Sequence, residues 1–174
     1  EEFFTDDAVV YNNREVNGRE YDICLLVKDV CVFIVEVKGW LASKIKVHGV
    51  DEIEVEGYEE WQTSPKKQAK SYCIQYFSKI KKQFGSSPLV VDLVAYPFIT
   101  KEQYYSSRLD VISEEQFTIF EDDLQDQNSL KRKFQAAFDA KKGIPHAELD
   151  TEFLGRIRRF EEPSFDDSSD EEFN

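Results

Sequence analysis

The 174-residue sequence has no methionine, only three cysteines and two histidines, and no apolar run long enough to span a bilayer. Each scarcity narrows the field. Cys24, Cys31 and Cys73 are odd in number, lie among apolar neighbours and match no zinc spacing. They read as buried thiols of a reducing compartment rather than a disulfide framework or a metal centre. A cytoplasmic protein that does not engage a membrane is the expectation. The opening EEFFTDD has neither the basic nor the apolar stretch of a secretory signal. The lack of methionine reads as a piece taken from a longer protein, and no internal repeat is visible.

Positive charge is also scarce. Lys and Arg number 22 against 35 Asp and Glu, a net charge of −13. That excludes indiscriminate binding to nucleic acid, which needs a cationic surface. The deficit is uneven, however. Seven acids and no base fall in residues 161–174, EEPSFDDSSDEEFN, so the remainder carries −6. The expected organisation is therefore a body over residues 1–160 and an acidic tail or linker over 161–174 that packs little. The tail has a second reading as a phosphate mimic that occludes a site. Lys and Arg bunch in SPKKQAKSYCIQYFSKIKKQ, LKRKF and RIRRF, and such local basic faces can take a polyanion.

What is present in quantity is alternating and helical apolar pattern. Strands are predicted at residues 8–13, 21–27 and 31–38, with short alternating pieces at 45–48 and 52–56 forming a small meander. A helix should open at Ser64–Pro65, a good N-cap followed by a first-turn proline, and close at Gly85. Ala69, Cys73, Tyr76, Phe77, Ile80 and Phe84 recur along it at helical spacing. PLVVDLVAYPFI reads as a buried strand, LDVIS as a short one, and SLKRKFQAAFDAKK and DTEFLGRIRRFEE as helices. The order of strands, helix, strand and helices predicts an α/β fold, with a mixed central sheet crossed by a helix.

Within the apolar strands, Asp22, Glu36 and Lys38 are out of place, because an unpaired buried charge costs several kcal/mol. Glu36 and Lys38 share a strand face, two residues apart. Asp22 joins them only if opposed residue numbers in the hairpin sum to 58, which requires a loop of odd length. In that register Glu20, Asp22, Glu36 and Lys38 gather at one end. Two carboxylates side by side repel, and hard oxygen ligands of this kind suit Mg²⁺ or Mn²⁺. The plainer alternative is a set of charges solvated at strand ends. His48 and His146 have nothing to place them near this group, and Trp40 and Trp61 suit either base stacking or packing.

GREYD, then VFIVEVKGW, then WQTSPKKQAKSY resembles the core of the PD-(D/E)XK nuclease superfamily and, within it, the nuclease-related domain called NERD. The residues that carry the likeness are Asp22, Glu36 with Lys38, Gly39–Trp40, Trp61, and Pro65 with Gln68. Gln68 and Tyr72 also match the Gln-x-x-x-Tyr pattern of RecB-like nucleases, and the likeness covers about residues 8–100. It departs from the pattern in two places: the Asp22 strand lacks the Pro-Asp form, and an acid expected before the first strand is represented only by Glu1 or Glu2.

The resemblance implies a restriction-endonuclease-like fold and a Mg²⁺- or Mn²⁺-dependent nuclease acting on nucleic acid, DNA in preference to RNA. It also implies fusion to further domains such as a helicase. By the same likeness Asp22, Glu36 and the Val37 carbonyl would hold the metal, with Glu20 or Glu2 as an additional acid. Lys38 and Gln68 would serve the chemistry. Tyr72, Gln75, Lys79 and Lys82, along one helix side, would follow the substrate backbone. The rival expectation is a nuclease-like fold that binds nucleic acid or a protein partner with little turnover.

Overall fold

A computed structural model describes residues 8–16 and 19–162, with 14–16, 19 and 20 as backbone only. Three strands come first: β1 (Ala8–Val16), β2 (Arg19–Val27) and β3 (Cys31–Val37). The chain then leaves the sheet through a 3₁₀ turn at Ala42–Lys44 into β4 (Ile45–Val47), β5 (Glu52–Val55) and β6 (Gln62–Thr63), which form their own antiparallel sheet. This is the expected meander.

Helix α1 (Pro65–Phe84) returns the chain over one face to β7 (Val90–Tyr96), which lies parallel to β3. Short α2 (Lys101–Ser106) leads to β8 (Thr118–Phe120), α3 (Glu121–Gln125), α4 (Gln127–Lys141) and α5 (Thr151–Glu161). The main sheet has the order β1-β2-β3-β7-β8, antiparallel on one side and parallel on the other. It is the mixed, helix-flanked α/β sheet that the element order predicts.

The strands read as near-continuous apolar runs because both faces are covered. Val32 and Ile34 face α1 and α5, among Tyr76, Ile80, Phe153 and Ile157. Phe33 and Val35 face α4, among Phe134 and Ala137. Helix α1 starts where Ser64 Oγ accepts from the Lys67 amide (3.4 Å). It stops at Gly85, whose φ of +82° permits its N–H to close on the Lys81 carbonyl at 2.8 Å.

Two expectations are corrected. LDVIS is not a strand: Leu109–Val111 is a 3₁₀ turn entered through Arg108 at φ +61°. The position beside β7 belongs to β8 instead. Helix α5 also runs through Glu161, so the acidic stretch begins inside the folded body. Glu161 pairs with Lys79 Nζ (2.9 Å), and Glu162 accepts from Tyr11 Oη (3.1 Å) and Arg158 Nε (3.0 Å). Residues 163–174 lie outside the described residues.

Candidate active site

The β2–β3 hairpin fixes the site. Its paired residues are Ile23 with Val35, Cys24 with Ile34, Leu25 with Phe33, Leu26 with Val32 and Val27 with Cys31. Each pair sums to 58, and Lys28, Asp29 and Val30 make a three-residue loop. The next pair in that register is Asp22 with Glu36, on the face that carries Cys24 and Ile34 and meets α1. Asp29 takes φ +60° in the turn, and its amide is tied to the Leu149 carbonyl at 2.8 Å.

Alternation of the backbone explains how Asp22 is held. Along β3 the amides of Val32 and Lys38 donate to Leu89 and Ala95, toward β7. The odd-numbered residues therefore point their N–H and C=O toward β2. Backbone pairing to β2 ends at Val35, so the Val37 N–H meets the Asp22 carboxylate instead, donating to Oδ2 at 2.7 Å. The Val37 carbonyl leaves the strand on the same side. One acidic side chain thus finishes the ladder and stands beside Glu36.

Glu36 is 5 % exposed. Its Oε1 pairs with Lys38 Nζ at 3.1 Å, while Oε2 is buried without a hydrogen-bond partner. Burial raises the carboxyl above its ordinary value, Lys38 opposes the rise and the Asp22 charge adds to it. Lys38 Nζ also lies 5.7 Å from the Trp40 ring centroid. Trp40 is itself buried against Tyr96, ring centroids 6.3 Å apart. Trp40 therefore packs in the core, beneath the lysine.

Helix α1 carries Gln68 in its first turns, and Gln68 Oε1 is buried with no hydrogen-bond partner. Tyr72 follows one turn later, half-buried. The rest of the expected stripe has other engagements. Gln75 Nε2 donates to Ser71 Oγ (3.1 Å), and Lys79 is fastened to Glu161 on α5 and lies over Phe160. Lys79 and Lys82 stand eleven and fourteen residues past Gln68, roughly 16 and 21 Å along the axis. Only the first turns of α1 approach the charged strand ends. Of the further acids, the Glu20 side chain and all of Glu2 lie outside what is described.

Sequence reasoning missed Asp92. It lies on β7 opposite Ile34 and pairs with Lys66 Nζ from the first turn of α1 at 3.0 Å, tying the helix start to the sheet beside the site. The signal was there, a lone charge inside PLVVDLVAY.

The donor set fits a small hard cation. It offers two carboxylates, one with an orphaned buried oxygen, and a main-chain carbonyl on the same side. Among the described residues no group of three His, Cys, Asp or Glu gathers to hold a metal. Mg²⁺, which keeps several waters and takes one or two carboxylates, needs no third. The apolar groove of about 340 Å³ lined by Ile23, Val35, Val37 and Phe134 is on the opposite face and offers no polar group to a charged ligand.

No family model matches the chain, and no curated protein does. Among solved structures it is similar to one described as the crystal structure of a repair endonuclease from Pyrococcus abyssi. Identity is 17 %, the match covers 63 % of this chain and 35 % of that one, and the TM-score is 0.32. A score of that size carries no functional argument, so the reading of the site rests on its own geometry. No helix among the described residues is long and apolar enough to cross a membrane.

Proposed function

We propose that this chain is a NERD-type nuclease domain of the PD-(D/E)XK superfamily, hydrolysing phosphodiester bonds of nucleic acid, DNA in preference to RNA, with Mg²⁺ or Mn²⁺. The observation that carries the reading is the hairpin register. It brings Asp22 and Glu36 together at one end of β2 and β3, with Lys38 at 3.1 Å from Glu36 and Gln68 on the covering helix. A fold that only needed a core would have no reason to bury a carboxylate beside another and leave an oxygen unpaired.

Asp22, Glu36 and the Val37 carbonyl would hold the cation, which when bound supplies Lewis acidity and lowers the pKa of a coordinated water. The remaining work falls to the chain. Lys38, steadied by Glu36 and by the Trp40 face, presents an ammonium to the phosphoryl oxygens as negative charge grows on them. The buried Gln68 carbonyl oxygen would accept a hydrogen bond from the attacking water or from Lys38, orienting either. The Lys66–Asp92 pair holds the helix that carries Gln68. Fusion to further domains such as a helicase belongs to the same reading.

The test is cleavage of single-stranded, duplex and RNA substrates with Mg²⁺ or Mn²⁺, and its loss in EDTA. Lys38→Ala leaves both carboxylates, so metal binding should persist while turnover falls by ~100-fold or more. Gln68→Ala should fall between wild type and Lys38→Ala. If wild type binds nucleic acid yet cleaves it no faster than Lys38→Ala, the chain is a binding module and the enzymatic reading is wrong.

A further inference from the structure

Most exposed aromatic groups on this surface stand away from the strand ends that carry the charges. Trp61 is half exposed, but it stacks on His48 at 3.8 Å, and His48 in turn holds Glu54 at 2.7 Å. Glu52, Glu54 and Glu56 alternate along that exposed face, on and just past β5, and repel phosphate. Phe98 differs in position. Strands β3 and β7 are parallel, with Val37 beside Ala95, so they end at the same edge of the sheet. Phe98 sits in the turn just past that edge.

The turn is anchored on both sides. The Ile99 amide donates to the Tyr96 carbonyl (3.2 Å), both of those residues are fully buried, and the Ile99 carbonyl accepts from the Glu121 amide (3.0 Å). Between them the Phe98 ring stays 58 % exposed. Its edge lies 3.6 Å from where a side chain on Gly39 would begin, and Gly39 directly follows Lys38. An apolar ring is therefore held open to water beside Gly39, at the sheet edge where Lys38 leaves β3. Among the described residues nothing packs over that exposed face.

We infer that Phe98 is a stacking platform for a nucleobase flanking the phosphodiester held at Lys38, and that it directs the site to unpaired nucleotides. The inference rests on the nucleic-acid reading above and adds its substrate class. A base inside a duplex already has both faces covered by its neighbours. Only a single strand, a flap or a frayed end can offer a free face to the ring. Stacking is indifferent to which base is presented, so the preference is for strandedness and not for sequence.

The test is binding to a fluorescent single-stranded oligonucleotide and to a blunt duplex in Ca²⁺, across a salt series. Phe98→Ala should weaken single-strand binding by about 5- to 150-fold, the range of one base–aromatic stack. Duplex affinity, the Mn²⁺ affinity and the melting temperature should not move. Because stacking releases no counterions, the slope of affinity against salt should stay that of wild type. Phe98→Leu should remain weak, since it keeps apolar bulk without a π face. Phe98→Trp should restore affinity, and its fluorescence should be quenched by the single strand.

Wild-type single-strand affinity in Phe98→Ala, or an equal loss on duplex, overturns the inference while leaving the nucleic-acid reading in place. Wild type that binds neither oligonucleotide overturns both.

Discussion

Asp22 has two duties, and they can be separated. Its Oδ2 accepts the Val37 N–H at 2.7 Å, where β2 no longer offers a backbone partner, and its charge faces Glu36. Asp22→Ala strands the amide in a half-buried position, a cost of about 1–3 kcal/mol. Relief of the repulsion with Glu36 offsets part of it, leaving a net loss of about 0.5–2 kcal/mol. For a domain of this size each kcal/mol is worth about 2–4 °C, so melting should fall by about 1–8 °C. Asp22→Asn keeps an acceptor oxygen in the same place and removes the charge. Its melting temperature should match or slightly exceed that of wild type. Both variants should lose Mn²⁺ affinity and cleavage. Scanning calorimetry in EDTA and titration calorimetry with Mn²⁺ read the two duties independently. Asp22→Ala melting with wild type would show that the Val37 amide has another acceptor. Asn binding Mn²⁺ as tightly as Asp would remove Asp22 from the ligand set.

Glu36 carries a pH signature of its own. Its carboxyl is raised above the ordinary value of 4.5, so the folded state binds that proton more tightly than the unfolded chain. Stability from this group is complete below the unfolded value and is lost as pH rises through the folded one. In EDTA, Glu36→Gln should therefore melt higher than wild type at pH 8, with the gain disappearing on acidification to pH 4, while cleavage is abolished. A variant less stable than wild type at pH 8 would mean that the Lys38 pair outweighs the cost of burial. Removing residues 163–174, with Glu161 and Glu162 left in place at the end of α5, should leave melting unchanged. If the tail occludes the site, the shortened chain should bind nucleic acid more tightly at low salt, and a large drop in melting temperature would contradict the expectation that it packs little.

The parts of the site that a sequence can show are those governed by local rules. Parity along two strands and the count of residues in one loop placed Asp22 and Glu36 on a shared face. Ser64, Pro65 and Gly85 marked both ends of α1 because caps are chemical necessities at helix termini. The misreadings came from tertiary competition. LDVIS alternates well enough for a strand, yet the slot beside β7 went to the three buried residues Thr118–Phe120, too short a run to be noticed. Lys79, in the stripe expected to follow the substrate, also pairs with Glu161, 82 residues further on, a contact that no local pattern shows. Helix α2 was legible and overlooked: Thr100 and Gln103 form a reciprocal capping box. The surface role of Phe98 has no sequence signature, because exposure of one phenylalanine among fourteen is decided only by what packs around it.

The small β4–β5–β6 sheet is spliced into the chain between Lys38 at the end of β3 and Gln68 in α1. It meets the main body through Ile53 and Val55, with Ile45 and Val47 beside them, in the cluster of Trp40, Tyr96 and Ile99, and the Ser64 amide is bonded to the Asp51 carbonyl. On the proposed nuclease reading, the groups assigned to the chemistry therefore lie on either side of an insert that contributes none of them. Such an arrangement is modular in the way an exchangeable tool head is. An insert of different length or charge could replace residues 42–63, provided that it returned comparable apolar side chains to that patch and delivered the chain to Ser64. On that reading the same pair of carboxylates could be turned toward a different nucleic-acid geometry, a route by which one core acquires many clients without altering the residues proposed to serve the chemistry.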